Sequence, residues 1–375
     1  MAETGKVAVL DKIEGTFTVK EYPLPKPGPG QILLKQERCG ICGTDIHMYH
    51  GRLPGVVYPI VLGHEFCGTI VALGEGVTKD YLGRPIKIGD RIVVPPAAND
   101  YTDFFSVVAH SPTTSLGGFA YGFSNDADKV THFDGGYAEY AFLKDTRTKV
   151  LKSDLPPEIL CLTEPFTVGL YATDRARIRL GDTVVIQGTG AVGLFTQLCA
   201  KLYGAGKIIN IGGPTKYRME MAKKFGADVT INISEVKDKN ERIKIVREET
   251  TGGFGADVVF DCTGFPEAVP EGLDMLRRSG TFVELGAFTD VGPCEINPFL
   301  HLCNKNINLQ GTWGADLEHF VRILPILEKR EYPYEDFVTH TVGLNELNKA
   351  VTFPETDYKL YGKEVGKIQV DGSKY

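Results

Sequence analysis

The sequence predicts an α/β protein in which a doubly wound domain with a six-stranded parallel sheet is inserted into a mostly-β domain. Its 375 residues are enough to bury two separate cores. In the middle third, β-type runs alternate with helical patterns, which is the signature of parallel βα units. The flanking segments instead carry short β-type runs, turns and glycines, with little helical periodicity.

The central strands are expected at 183–187, 207–211, 229–231, 257–262, 281–285 and 306–310. Four of them are continuous apolar or β-branched runs, as strands buried on both faces must be. Between the first two, Ala191, Phe195, Leu198 and Leu202 recur at helical spacing, and Gly204 closes the pattern. A second helix is expected over 217–225, stopped by Gly226, and Pro266 can open another. Outside this core, β-type runs fall at 32–35, 67–73, 91–94 and 137–142, and the style returns at 364–370. The expected domains are therefore 1–164 with 306–375, and 165–305.

Composition removes several classes of function. A net charge of −7 does not suit a nucleic-acid binder, which needs a basic surface. No apolar run approaches the roughly 18 residues of a membrane span. The opening Met-Ala-Glu-Thr-Gly-Lys lacks the apolar stretch of a secretory signal. Eight cysteines are scattered too thinly for a disulfide scaffold. A cytoplasmic enzyme is the expectation.

The first central strand runs into Gly188-Thr189-Gly190-Ala191-Val192-Gly193, a GxGxxG turn. Gly188 permits the tight turn, Gly190 lets a pyrophosphate approach the backbone, and Gly193 lets the helix pack on the strand. Among 43 glycines the motif alone could be accidental, but the preceding strand and following βα units give it a context. An acid about 20 residues further on would bind the ribose hydroxyls of NAD. The second strand ends instead in Gly212-Gly213-Pro214-Thr215-Lys216-Tyr217-Arg218, where Lys216 and Arg218 could pair with a 2′-phosphate. NAD and NADP both remain open.

Residues 39–65 carry the other chemistry. Cys42 offers a thiolate, His64 an imidazole and Glu65 a carboxylate, with Thr44 and His47 placed to move a proton. Catalytic zinc takes three protein ligands and keeps a fourth position open. Cys161 and Glu164 are further candidates for the third ligand. Glu65 is a candidate only if the backbone turns sharply, since sequence neighbours seldom reach the same ion.

The motifs in order are Gly40-Ile41-Cys42-Gly43-Thr44-Asp45, Gly63-His64-Glu65, Gly89-Asp90-Arg91-Ile92-Val93 and Gly135-Gly136-Tyr137-Ala138-Glu139-Tyr140. Glu164-Pro165, the glycine turn, Asp261-Cys262-Thr263-Gly264 and Gly280-Thr281-Phe282-Val283-Glu284-Leu285-Gly286 follow. In this arrangement the chain resembles the zinc-containing alcohol and polyol dehydrogenases of the medium-chain dehydrogenase/reductase superfamily. The resemblance implies a GroES-like catalytic domain around a Rossmann domain, and hydride transfer between an alcohol (a secondary alcohol or polyol) and NAD or NADP.

By position, the resemblance makes Cys42, His64 and Glu164 zinc ligands, and Glu65 a permanent or alternate one. Glu164 stands where liver-type alcohol dehydrogenases have cysteine, which favours the sorbitol- and threonine-dehydrogenase-like branch. Thr44 and His47 then relay the alcohol proton. Val192 and Thr167 fall at positions that pack on the nicotinamide, Leu285 and Gly286 lie at its carboxamide end, and Thr263 and Gly212 are further cofactor-binding candidates. No cysteine lies between Cys67 and Cys161, so one catalytic zinc and no structural zinc is implied, with the loop 95–131 held by aromatic packing. A homodimer or homotetramer joined at the sheet edge is also implied. Two other readings compete: a zinc-free quinone or enoyl reductase, which needs neither Cys42 nor His64, and a zinc-stabilised nucleotide-binding protein, which has no use for Thr44 and His47.

Overall fold

Val184, Val185 and Ile186 are all buried although neighbouring side chains point to opposite faces of a strand. Their strand, Thr183–Gln187, therefore lies in the middle of a sheet covered on both sides. The computed structural model, which describes residues 3–115, 118–123 and 132–375, places it there. Lys207–Gly212 and Val229–Asn232 follow on one side of it, and Ala256–Asp261, Leu276–Glu284 and Asn308–Gly311 on the other. The order is third, second, first, fourth, fifth, sixth, and every pairing is parallel. One apolar cluster gathers Val185, Ile209, Val259 and Phe282, and a second gathers Val184, Ile186, Phe260 and Val283. The order reverses between the first and fourth strands, where doubly wound folds open a crevice for ligands.

Helices Ala191–Leu202 and Lys216–Lys224 stand where apolar spacing placed them. The next, Lys239–Glu248, was not expected; its buried face holds only Ile243 and Val246, too sparse a pattern to read. Pro266 does not open a helix. The next helix, Ala268–Met275, begins two residues later, after Glu267.

By contacts the chain divides into two units, residues 1–164, 316–363 and 367–375 against 165–315 and 364–366. The boundary expected at 305/306 thus falls at 315/316, because the sixth strand is paired from Thr281↔Asn308 to Glu284↔Gly311 within the parallel sheet. The strand expected over 364–370 is likewise interrupted. Lys363–Glu364 and Lys367–Val370 are separate, and Arg218 takes the Val365 carbonyl that a continuous ladder would use.

The first unit is built on a seven-stranded sheet that is mostly antiparallel. Its centre is the pair Ile32–Gly40 and Glu65–Leu73, whose register ends at Gly40↔Glu65. Tyr140–Leu143 pairs with Ile32–Gly40 as well. A hairpin, Thr4–Leu10 with Phe17–Pro23, and the helix Leu317–Lys329 had not been expected. That helix buries Leu317, Phe320, Ile323, Leu324 and Leu327 at helical spacing, but Pro325 in its interior hides it from a propensity reading. Among the described residues no helix is long and apolar enough to cross a membrane.

Candidate active site

Where Ile32–Gly40 ends, the chain turns into the short helix Gly43–Tyr49 with Cys42 as its N-cap. Asp45 fixes this turn by accepting the Cys42 amide at 2.9 Å. The same buried carboxylate accepts the Tyr137 hydroxyl at 2.9 Å and the Gly63 amide at 3.3 Å, and lies 3.5 Å from His64 Nδ1. Burial alone would raise the Asp45 pKa, but His64, the Cys42 amide and Tyr137 hold it below the usual carboxylate range. One aspartate thus fixes the Cys42 turn and places its charge beside His64.

Cys42 Sγ, a His64 ring nitrogen and a Glu65 carboxylate oxygen all lie within 4.8 Å of one another. Gly63, at φ +93°, turns the chain sharply just before the strand Glu65–Leu73 begins. Sulfur, imidazole and carboxylate in a largely buried pocket form a donor set that suits zinc. Glu164 lies outside this 4.8 Å group and is half-buried, close enough for the charges of His64 and Glu65 to act on it. Burial, with Glu65 beside it, pushes its carboxyl up to about 7 despite the opposing pull of His64.

Glu65 has a partner that sequence reasoning missed. Lys367 Nζ, buried on the strand Lys367–Val370, donates to Glu65 Oε1 at 2.7 Å and to the Ile41 carbonyl at 3.0 Å. A side chain at Gly40 would collide with both members of this pair, so the glycine makes room for it. Cys161 spends its thiol on the Glu65 carbonyl at 3.1 Å, and Cys39 is buried beneath the turn.

Thr44 Oγ1 stands 3.6 Å from Cys42 Sγ. His47, one turn along the helix, has a buried Nδ1 without a hydrogen-bond partner among the described residues. Burial, then Arg52 and His50, hold its pKa below the ordinary histidine value, so the ring is neutral at neutral pH. From the loop 95–131, Phe123 packs on the His64 ring with centroids 4.4 Å apart, and Tyr121 packs against Phe119 of the same loop and Phe66 of the strand Glu65–Leu73. Residues 116–117 and 124–131 of that loop lie outside the described residues.

In the other unit, Gly188 turns at φ +118° and Gly190 caps the helix Ala191–Leu202 with no side chain on its first amides. A Cβ at Gly190 would meet no atom within 4 Å, whereas one at Gly193 would run into the Gly188 carbonyl. The open cradle over Gly190 and the bare helix start fit a pyrophosphate. Val192 is partly exposed above the turn. Gly212 packs its backbone on Thr189, and Gly286 packs its own on Thr263 and Gly264. Thr167 and Leu285 are buried in this structure. Of the two cations expected near the ribose, Lys216 is exposed but Arg218 is buried, its Nε on the Val365 carbonyl at 3.1 Å.

Comparison with known proteins finds relatives over both parts of the chain. Residues 28–154 match the alcohol dehydrogenase GroES-like domain, and residues 191–329 match the zinc-binding dehydrogenase domain. A sorbitol dehydrogenase of Halalkalibacterium halodurans is 32% identical over 90% of this chain and 92% of its own. The 5-exo-hydroxycamphor dehydrogenase of Pseudomonas putida is also 32% identical, over 88% of this chain and 90% of its own. The crystal structure of an alcohol dehydrogenase from Thermotoga maritima superposes with a TM-score of 0.90 at 30% identity, covering 99% of this chain and all of that one.

Proposed function

Because the chain belongs to the zinc-containing alcohol and polyol dehydrogenases of the medium-chain dehydrogenase/reductase superfamily, we propose that it transfers hydride between a secondary alcohol or polyol and a nicotinamide dinucleotide. The observation that carries this reading is the convergence of Cys42, His64 and Glu65 within 4.8 Å. Bound zinc supplies Lewis acidity that makes an alcohol proton easier to remove, and the nicotinamide accepts the hydride. The residues do the rest.

Cys42, His64 and Glu164 would hold the ion, with Glu65 in reserve. Charge is compatible with this division: Lys367 already balances Glu65, and a Cys42 thiolate with a Glu164 carboxylate would match a divalent cation. An oxygen donor in place of a second thiolate leaves the metal more acidic and less tightly held. Asp45 keeps the His64 ring in place. Thr44 Oγ1 takes up the alcohol proton, and neutral His47 passes it to solvent through its ring nitrogens.

The substrate's shape is suggested by two features. Phe123 against His64 supplies an apolar wall, which suits a cyclic or bulky secondary alcohol, while the sorbitol dehydrogenase relatives favour a polyol. One zinc per chain is proposed, since the loop 95–131 contains no cysteine. A homodimer or homotetramer is proposed through the sixth strand, a sheet edge near which Phe299, Leu309 and Trp313 are exposed. The cytoplasm is proposed from the scattered cysteines.

The test is metal analysis together with reduction of NAD and NADP over a panel of cyclic alcohols and polyols, before and after dipicolinate treatment. Near one zinc per chain, and turnover that dipicolinate abolishes and zinc restores, is the expected result. Full turnover by metal-stripped protein would overturn the reading in favour of a zinc-free reductase.

A further inference from the structure

The fourth and fifth strands of the parallel sheet end side by side in Asp261 and Glu284, which pair in register. Each carboxylate organises the loop that follows it. Asp261 Oδ1 accepts both the amide and the hydroxyl of Thr263, at 2.8 and 2.6 Å. Glu284 Oε1 accepts the amides of Gly286 and Ala287, at 3.0 and 2.8 Å. The two loops then pack backbone on backbone. A side chain at Gly286 would collide with the Thr263 and Gly264 nitrogens, and one at Gly264 with the Gly286 oxygen. The second oxygens, Asp261 Oδ2 and Glu284 Oε2, are buried with no donor among the described residues, and each carboxyl lies close enough to act on the other.

These loops adjoin the glycine turn. Gln187, which precedes Gly188, is the register partner of Asp261, and a Cβ at Gly188 would lie 3.2 Å from the Cys262 carbonyl oxygen. A doubly wound sheet takes one half of a dinucleotide over each of its two βαβαβ halves, with the adenosine ribose at the end of the second strand. The other half then runs from the turn toward the ends of the fourth and fifth strands. The flanking register partners are uncharged: Gln187 stands beside Asp261 and Gly311 beside Glu284. Burial, then Asp261, push the Cys262 thiol well above its ordinary value, so it keeps its proton. Burial, with Asp261 beside it, lifts the Glu284 carboxyl to about 7, and burial raises Asp261 as well. One proton between the two carboxyls satisfies both buried oxygens.

We propose that Asp261 and Glu284 are a positioning pair for the nicotinamide half of the dinucleotide: one shared proton holds the loops 262–264 and 285–287 together as its seat, and loss of that proton drives them apart. The proposal rests on reading the 188–193 turn as the dinucleotide site, and it deepens that reading by naming two residues outside the turn that prepare the second half of the site. Both act through the loops they hold and not on the reacting atoms.

The test is calorimetric titration of the intact protein, from about pH 6 to about pH 8, a range centred on the Glu284 value. The probes are whichever of NADH and NADPH binds more tightly, and the matching ADP-ribose or its 2′-phosphate, which lacks the nicotinamide. If binding raises the pair's hold on its proton by about one pH unit, affinity for the full dinucleotide should fall about fivefold over this range. Affinity for the nicotinamide-free probe should change by less than about twofold. Glu284→Gln and Asp261→Asn each replace the shared proton with a permanent N–H and keep the oxygen that holds the following loop, so either should flatten the decline. A folded variant that retains the native decline, or native protein in which the two probes respond alike to pH, would overturn the proposal. Failure of the native protein to bind the nicotinamide-free probe would instead remove the dinucleotide reading, and the proposal with it.

Discussion

Lys367 Nζ donates to Glu65 Oε1 at 2.7 Å, and both side chains are buried. Breaking a buried pair leaves an uncompensated charge, which costs about 3–5 kcal/mol. Lys367→Met should therefore destabilise the metal-free protein by about that amount in denaturant unfolding. Adding Glu65→Gln should recover most of the loss, because the stranded charge is then gone. Equal and additive losses from the two substitutions would show that the pair is not coupled.

Gly190 and Gly193 belong to one motif but do different work. A side chain at Gly193 collides with the Gly188 carbonyl, while one at Gly190 meets nothing within 4 Å. Gly193→Ala should lower the thermal unfolding midpoint. Gly190→Ala should leave the midpoint within the ordinary scatter of surface changes, about 0.5 kcal/mol. It should nonetheless weaken dinucleotide binding at least about tenfold by filling the space a pyrophosphate needs. Normal nucleotide affinity in Gly190→Ala would mean that the cradle is not used.

The parallel sheet was readable because buried strands such as Thr183–Gln187 leave unbroken apolar runs, and the glycine turn because its spacing is local. The metal cluster was half readable. Cys42, His64 and Glu65 stand within 24 residues, but the convergence of two sequence neighbours on one point depends on backbone geometry with no side-chain signature. Lys367 was not readable, since it acts on a residue 302 positions away in sequence. A lone lysine within the strand Lys367–Val370, whose residues are all buried, was the one available hint. The charge of Arg218 is visible in the sequence, but its hydrogen bond to the Val365 carbonyl is not.

Asp45 is fully buried, fixes the Cys42 turn and lies 3.5 Å from His64 Nδ1. Asp45→Asn keeps the shape but loses the charge beside the imidazole. Loss of such a supporting partner weakens zinc binding by about 10–100-fold, which competition against a chromophoric chelator can measure. Unchanged zinc affinity would place the control of His64 elsewhere.

His47 is held neutral by burial, so its ring can accept a proton across the neutral range. His47→Gln should lower kcat by about a hundredfold near pH 7, with KM for the dinucleotide little changed. Because the native pKa is depressed, the acid limb of the native rate profile should fall below the ordinary histidine value of 6.5. A variant that keeps the native kcat and the same acid limb would exclude His47 from the proton path.

Asp261 and Glu284 are register partners at the ends of neighbouring strands, and each carboxyl lies close enough to act on the other. Asp261 Oδ1 accepts the Thr263 amide at 2.8 Å and its hydroxyl at 2.6 Å, and Glu284 Oε1 accepts the Gly286 and Ala287 amides at 3.0 and 2.8 Å. The remaining oxygens, Oδ2 and Oε2, are buried with no donor among the described residues. Two carboxylates so placed need a proton between them. Burial, with Asp261 beside it, lifts Glu284 from an ordinary 4.5 to about 7, and Asp261 is raised as well. Between these values the folded protein holds a proton that the unfolded chain has released. The pair's contribution to stability is therefore complete below about 4.5 and is lost as pH rises through about 7. Glu284→Gln supplies a permanent N–H toward Asp261, so its stability should not show this decline. Unfolding by denaturant at a series of pH values from 5 to 8 (a window set by the shift itself) should show the native protein losing ground to the variant as pH rises, and parallel curves would mean that no proton is shared.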